Sequence, residues 1–247
     1  MIVWVFAGGG ESEISGLKPF LDKSFPKCKF KLCTPIRDKP APKFRREAPS
    51  QGYTGRSLLT QIKVQLHIKL DLKDTCDLIV IFDDLDYPLT ETQELKFAVQ
   101  KRQTFEDFLK QIWKKYPERP PINHIIGFAK PELESWVIAD WEQTVAKAPE
   151  FRERSKSMQH WLAAERKVSF SSPENFGLDS NFEKSYHKKL SDVIIEASEK
   201  QEGIRYSKQI HTARFIKNLD AAIAQQKCPE FRKFFTTLSR LTQESKS

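Results

Sequence analysis

Residues 2–7 (IVWVFA) form an unbroken run of β-branched and aromatic side chains, the pattern of a strand buried on both faces. Gly8-Gly9-Gly10 ends it. From Ile14 to Phe25 the spacing is helical, with Ile14, Leu17, Phe20 and Leu21 on one side and Ser12 placed to cap the first turn. Phe30 to Cys33 predicts a second short strand, Ser57 to Leu72 a helix, and Leu78 to Phe82 a third strand. Thr90 to Tyr116 is a long helical stretch closed by Pro117 and Pro120-Pro121. His124 to Phe128 predicts a fourth strand. The segment Lys130-Pro-Glu-Leu-Glu-Ser-Trp-Val-Ile-Ala-Asp140 then opens a helix, with Pro131 in its first turn and acidic residues there complementing the helix dipole.

Strands alternating with helices predict an α/β fold, a Rossmann-like and mainly parallel sheet flanked by helices over residues 1–145. Residues 146–247 read as a mostly helical C-terminal region, with a polar interruption over 169–185 and a frayed TQESKS end. In such sheets the ligand site lies beyond the carboxyl ends of the strands. Three acidic groups follow strand ends: Glu11 and Glu13 after the first, Asp83, Asp84 and Asp86 after the third, and Glu132 and Glu134 after the fourth. Clustered carboxylates repel one another unless a positive charge sits between them, and Mg²⁺ (or Mn²⁺) is the hard cation suited to oxygen ligands. Candidate ligands are Glu11 or Glu13 together with the group Asp83, Asp84 and Asp86, with Glu132 or Glu134 as a further ligand or a base. The bland alternative for Glu11 and Glu13 is that they favour a helix N-terminus. A spacing of two on a helix does not put Glu132 and Glu134 on one face, so one is expected at the site and the other in solvent or against a partner. Trp136 and Ile138 belong to the core. Gly8–Gly10 matches neither the dinucleotide fingerprint nor a P-loop.

The chain has 247 residues, 39% hydrophobic and 30% charged, with a formal net charge of +8. A basic chain whose acids gather at strand ends fits a polyanion such as DNA or RNA; a solvated basic surface is the alternative. Residues 34–56 have no apolar period and are rich in Pro, Gly, Lys and Arg. Arg37, Lys39, Lys43, Arg45, Arg46 and Arg56, interleaved with Phe44 and Tyr53, suit a nucleic-acid clamp of phosphate contacts and stacking rings, or else a solvated linker. The four cysteines show no zinc spacing and read as reduced thiols. No signal peptide or membrane span is evident, so a cytoplasmic location is expected. The five histidines form no metal-binding pattern and read as structural. Lys208, in Tyr206-Ser-Lys208, offers a positive group for a phosphate, or is simply solvated.

Three pieces in this order resemble the DUF4276 proteins: Gly-Gly-Gly-Glu-Ser-Glu after the first strand, Asp-Leu-Asp after the third, and Pro-Glu-Leu-Glu-Ser-Trp-Val-Ile-Ala-Asp after the fourth. The stretch from Tyr206-Ser-Lys208 to Cys228-Pro-Glu-Phe231 resembles the tail of the same family. That family is similar to the TOPRIM-type domains of OLD and RloB-like nucleases. The resemblance implies a TOPRIM-like fold and a Mg-dependent nuclease in which Glu13, Asp84 and Asp86 hold the metal. It also implies a partner ATPase and a defence-type setting. The OLD-like pattern places a first glutamate where this chain has Gly9. A non-catalytic nucleic-acid-binding or ATPase-partner module with a vestigial acidic site is therefore the alternative. The stretch Phe82-Asp-Asp-Leu-Asp-Tyr-Pro-Leu89 also resembles the first motif of haloacid-dehalogenase-type phosphatases. Tyr87 and Pro88 depart from that motif, and no later acidic loop completes it.

Overall fold

A computed structural model describes residues 1–10, 12–34, 55–85, 91–178 and 189–244. Four strands, β1 (Ile2–Ala7), β2 (Lys29–Thr34), β3 (Leu78–Asp84) and β4 (Asn123–Ala129), form one sheet in the order β2-β1-β3-β4. All three pairings are parallel. The architecture is the α/β fold that the alternating pattern predicts. The chain leaves β1 toward β2 and then crosses back to add β3 on the other side. The strand order therefore reverses between β1 and β3, where parallel sheets open a crevice at their carboxyl ends.

Two helical layers cover the sheet. The two-residue period of a strand sends Trp4, Phe6, Ile79 and Ile81 to one face and Val3, Val5, Val80 and Phe82 to the other. The first face is covered by α2 (Gly55–Asp71) and α3 (Glu91–Trp113), through Leu58, Ile62, Leu66 and Leu70 of α2 and Phe105, Leu109 and Ile112 of α3. The second face carries α1 (Lys18–Ser24) and α4 (Glu134–Ala139). It also carries the C-terminal helices α5 (Ser155–Arg166), α6 (Leu190–Glu199), α7 (Ala213–Asn218), α8 (Ala221–Lys227) and α9 (Pro229–Glu244). The C-terminal region is thus helical, and it shares one apolar core with the sheet. Trp136 joins that core between Phe82, 5.4 Å away, and Phe231, 4.6 Å away. Ile138 is buried there as well. On the edge strand β4, Gly127 lets α9 approach, since a Cβ at this position would lie 2.5 Å from the Phe234 ring.

Several local expectations change in the fold. Ser12 has helical dihedrals and makes no capping bond; its Oγ donates instead to the carbonyl of Lys208, 3.1 Å away. The turn it enters, Glu13–Leu17, is π-helical and runs into α1. Pro131 follows a cis peptide bond and precedes the helix rather than occupying its first turn, which begins at Glu134. Strand β3 outlasts its apolar run and carries Asp83 and Asp84 as its last two residues.

Candidate functional site

The carboxyl ends of β1, β3 and β4 bring five buried carboxylates together: Glu13, Asp83, Asp84, Glu132 and Glu134. The first strand end is built by glycines. Gly8 N–H donates to the carbonyl of Phe82 across the sheet at 2.7 Å. Gly9 turns the chain with φ +87°, and Gly10 N–H then donates to Glu13 Oε2 at 2.6 Å. A Cβ on Gly9 would stand 2.2 Å from Glu13 Oε1. Position 9 is therefore where the Glu13 carboxylate lies, and a side chain there would displace it.

At the end of β3 the strand period separates the two aspartates. Asp83 points toward α3, where Lys101 Nζ lies 2.8 Å from its Oδ2 and also donates to the carbonyl of Asp84. Lys101 is held from above by the Phe128 ring, 5.7 Å from its Nζ. Asp84 points to the opposite face, the one carrying the C-terminal helices.

Both glutamates after β4 face inward, against the expectation that one would reach solvent. The spacing argument fails because Glu132 precedes α4 on irregular backbone, so the helical period does not relate the two. Glu132 Oε2 accepts from Ser191 Oγ at 2.8 Å and from Lys208 Nζ at 2.9 Å. Glu134 Oε1 accepts from Thr212 Oγ1 at 2.7 Å, and Thr212 Oγ1 lies 2.8 Å from the hydroxyl of buried Tyr206. Glu134 Oε2 is 3.5 Å from Lys208 Nζ.

Lys208 is therefore an ion-paired lysine and not a solvated one, although its side chain keeps 35% exposure. It opens a second π-helical turn, Lys208–Thr212, which runs into α7. Gly16 allows α7 to pack closely on the turn after β1, because a Cβ there would lie 2.8 Å from the carbonyl of Ala213. Three elements distant in sequence are locked together in this way.

The electrostatics follow from burial and this one ammonium. Burial pushes Glu13 above the ordinary carboxylate range, with its backbone hydrogen bonds and Lys208 pulling the other way. Burial likewise pushes Glu134 up to about 7, against the pull of Lys208. Glu132 is buried too, but the charge and hydrogen bond of Lys208 and the bond from Ser191 outweigh that and hold it low. For Lys208 burial works downward, and the carboxylates of Glu134, Asp84 and Glu132 more than offset it, so its proton is held well above the usual lysine value.

Of the residues singled out in the sequence, the fold thus brings Glu13, Asp84, Glu132, Glu134 and Lys208 to one end of the sheet. Glu11, Asp86 and the basic residues Arg37, Lys39, Lys43, Arg45 and Arg46 lie outside the described residues, as does the side chain of Arg56. Among the described residues no three histidine, cysteine, aspartate or glutamate side chains are arranged to hold a metal ion. Lys101, Ser191 and Thr212 had no local signal in the sequence, since each meets its carboxylate only through tertiary packing. Of the histidines, His67 lies 2.7 Å from the Tyr116 hydroxyl, His124 pairs with Glu106 at 2.8 Å, and His211 accepts from Ser207 N–H at 2.7 Å. No helix among the described residues is long and apolar enough to cross a membrane.

The chain belongs to the family described as a domain of unknown function, DUF4276, which it matches over residues 10–239. That span takes in both π-helical turns and α9 as far as its last turn. No curated protein and no solved structure matches the chain significantly.

Proposed function

We propose that this chain is a Mg²⁺-dependent nuclease acting on nucleic-acid phosphodiesters, with a TOPRIM-like core. The observation that carries the reading is the convergence of carboxylates at the carboxyl ends of β1, β3 and β4: Glu13, Asp83, Asp84, Glu132 and Glu134 are all buried there. Buried charge of one sign is costly without a counter-charge. The donors are all carboxylate oxygens, the chemistry of a hard divalent cation. Asp84 ends β3 and Glu13 follows β1, the adjacent strands between which the strand order reverses, and Asp86 and Glu11 are the nearest further carboxylates in sequence. A bound Mg²⁺ supplies charge to offset the scissile phosphate and a water of lowered pKa. In this reading Asp84 and Glu13 bind and orient that ion, and Glu134, titrating near 7, holds or releases a proton. Lys208 presents its ammonium to a phosphate from the half-exposed rim. The basic segment 34–56 holds the nucleic acid.

The test is nicking of supercoiled plasmid, and degradation of single-stranded RNA and DNA, with Mg²⁺ or Mn²⁺ against EDTA. Asp84→Asn and Glu13→Gln are expected to abolish cleavage while the melting temperature stays within a few degrees. Normal cleavage by both variants refutes the assignment.

A second reading rests on a different observation: among the described residues the lysines already pair with these carboxylates, and no metal-holding group of three is present. The chain is then a nucleic-acid-binding or ATPase-partner module whose acidic site is vestigial. It predicts salt-sensitive DNA or RNA binding with no metal-dependent turnover, by the wild type or by any variant.

A further inference from the structure

His211 stands in the π-helical turn Lys208–Thr212, and its hydrogen bonds fix its protonation state. Its Nδ1 lies 2.7 Å from the backbone nitrogen of Ser207, which carries a proton and can only donate. Nδ1 is therefore bare, and the one ring proton sits on Nε2, which faces the Glu150 carboxylate 3.4 Å away. Ser207 precedes the turn, and its own side chain makes no capping bond. Its N–H is answered by the ring four residues on, while its carbonyl accepts from His211 N–H at 2.8 Å. This is a reciprocal closure of the kind a capping box makes, with an imidazole where a glutamate or glutamine usually serves. The ring is buried among Phe151, Tyr206 and Phe215, whose centres are 5.0, 5.4 and 6.2 Å away, so water poorly replaces a bond lost here.

Among the described residues the charged groups acting on the ring are Glu150, Arg214 and Arg154. Glu150 is already paired with Arg214 of α7, and Arg154, at the start of α5, adds a second positive charge. Tyr206 keeps its phenol proton, which burial holds on. Burial, and after it the charge of Arg214, keep the imidazole below the usual histidine range against the pull of Glu150. We infer that His211 is a proton-sensitive latch on the segment that answers the buried glutamates: neutral, it closes the turn, and protonated at Nδ1 it sets a donor against the Ser207 N–H, so that the closure is lost. The turn so weakened begins with Lys208, which pairs with Glu132 and Glu134, and ends with Thr212, which donates to Glu134. The latch works through this chain's own hydrogen bonds and needs no bound ligand. A histidine held low in the fold contributes stability that is whole above its unfolded value of 6.5 and is lost as pH falls through its folded value. The turn is thus firm at neutral pH and weakened in acid.

The experiment is nuclear magnetic resonance of the full-length protein from about pH 8 down to about pH 4.5. Two-bond proton–nitrogen correlations of the ring read its tautomer and its titration. Amide exchange, corrected for its intrinsic pH dependence, reads the turn. At neutral pH the ring should carry its proton on Nε2 alone. As His211 titrates, protection of the Ser207 and His211 amides should fall about tenfold or more, while that of Gly8, which bonds to Phe82 across the sheet, holds. His211→Gln, which keeps an acceptor and gains no proton, should hold the turn at every pH. His211→Phe, which keeps a ring in the packing and removes the acceptor, should show the weak protection at every pH; if it does not fold, the wild type and His211→Gln decide the matter. A neutral ring with its proton on Nδ1, a ring that stays uncharged to about pH 4.5, Ser207 protection that ignores the titration, or a parallel loss at Gly8 each overturns the inference.

Discussion

Arg154 offers a quantitative check on how the lysine-bearing segment is held. It stands at the start of α5, and its guanidinium is the hub of the turn between α6 and Lys208. Nε donates to the carbonyl of Glu150 at 3.2 Å; Nη1 reaches the carbonyls of Ser198, Gln201 and Glu202 at 3.2, 3.1 and 3.1 Å. Nη2 donates to the carbonyl of Ile204, and the group lies 5.0 Å from the centre of the Phe151 ring. The turn it organises ends in Tyr206, whose N–H donates to Ser198 Oγ at 2.8 Å. A hydrogen bond from a charged donor is worth about 1.5–3 kcal/mol. Glu202 and Ile204 are exposed and regain water when the arginine is lost, so most of their share is recovered. Ser198 is fully buried and is not so compensated. With the stacking on Phe151, Arg154→Ala should cost about 2–4 kcal/mol. Arg154→Lys should restore less than half of that, because a point charge cannot serve so many carbonyls at once. Urea unfolding gives the energies. Hydrogen exchange at Tyr206 and Ser207 should quicken about tenfold or more in the alanine variant. If Arg154→Ala stays within about 0.5 kcal/mol of wild type with unchanged exchange there, the arginine is not what holds this turn.

Glu174, buried, accepts from the N–H groups of Glu230 and Phe231 at the start of α9, at 2.8 and 3.1 Å, and burial pushes it from 4.5 up to about 7. A carboxyl raised on folding stabilises fully below its unfolded value, and that contribution is lost as pH rises through 7. Unfolding measured from pH 5 to pH 8 should lose up to about 3 kcal/mol from this group, and Glu174→Gln should flatten the slope; an unchanged slope would locate the proton elsewhere. Gly9→Ala faces both a positive φ and the Glu13 carboxylate; under the proposed nuclease function it should abolish cleavage, while the backbone strain lowers stability by only roughly 1–2 kcal/mol. Kinetics alongside a melting curve separate the two effects. Arg45→Glu with Arg46→Glu should weaken nucleic-acid binding and flatten its salt dependence, read by fluorescence anisotropy across salt concentrations; full retention of affinity removes the clamp.

Some of this architecture is local and some is not. The strand over residues 2–7 appears with the boundaries its apolar run predicts, because a strand buried on both faces needs contiguous apolar residues and little else. The apolar run over residues 78–82 predicts the third strand two residues too short. Its last two residues are charged, and they remain in the ladder because β4 pairs with both and Lys101 answers Asp83. The acidic residues themselves were visible, as was their place after strand ends. What they contact was not. Glu132 meets Lys208 across 76 residues, Glu134 meets Thr212 across 78, and Glu230 is capped by Glu174 across 56. Sequence periodicity reports which face of an element is apolar, because that is decided within a turn or two of chain. Whether a buried carboxylate is answered by a proton, a lysine or a metal is decided by which distant segments pack against it. Here that choice fell to two π-helical turns and the helices of the C-terminal region, closed over one face of the sheet.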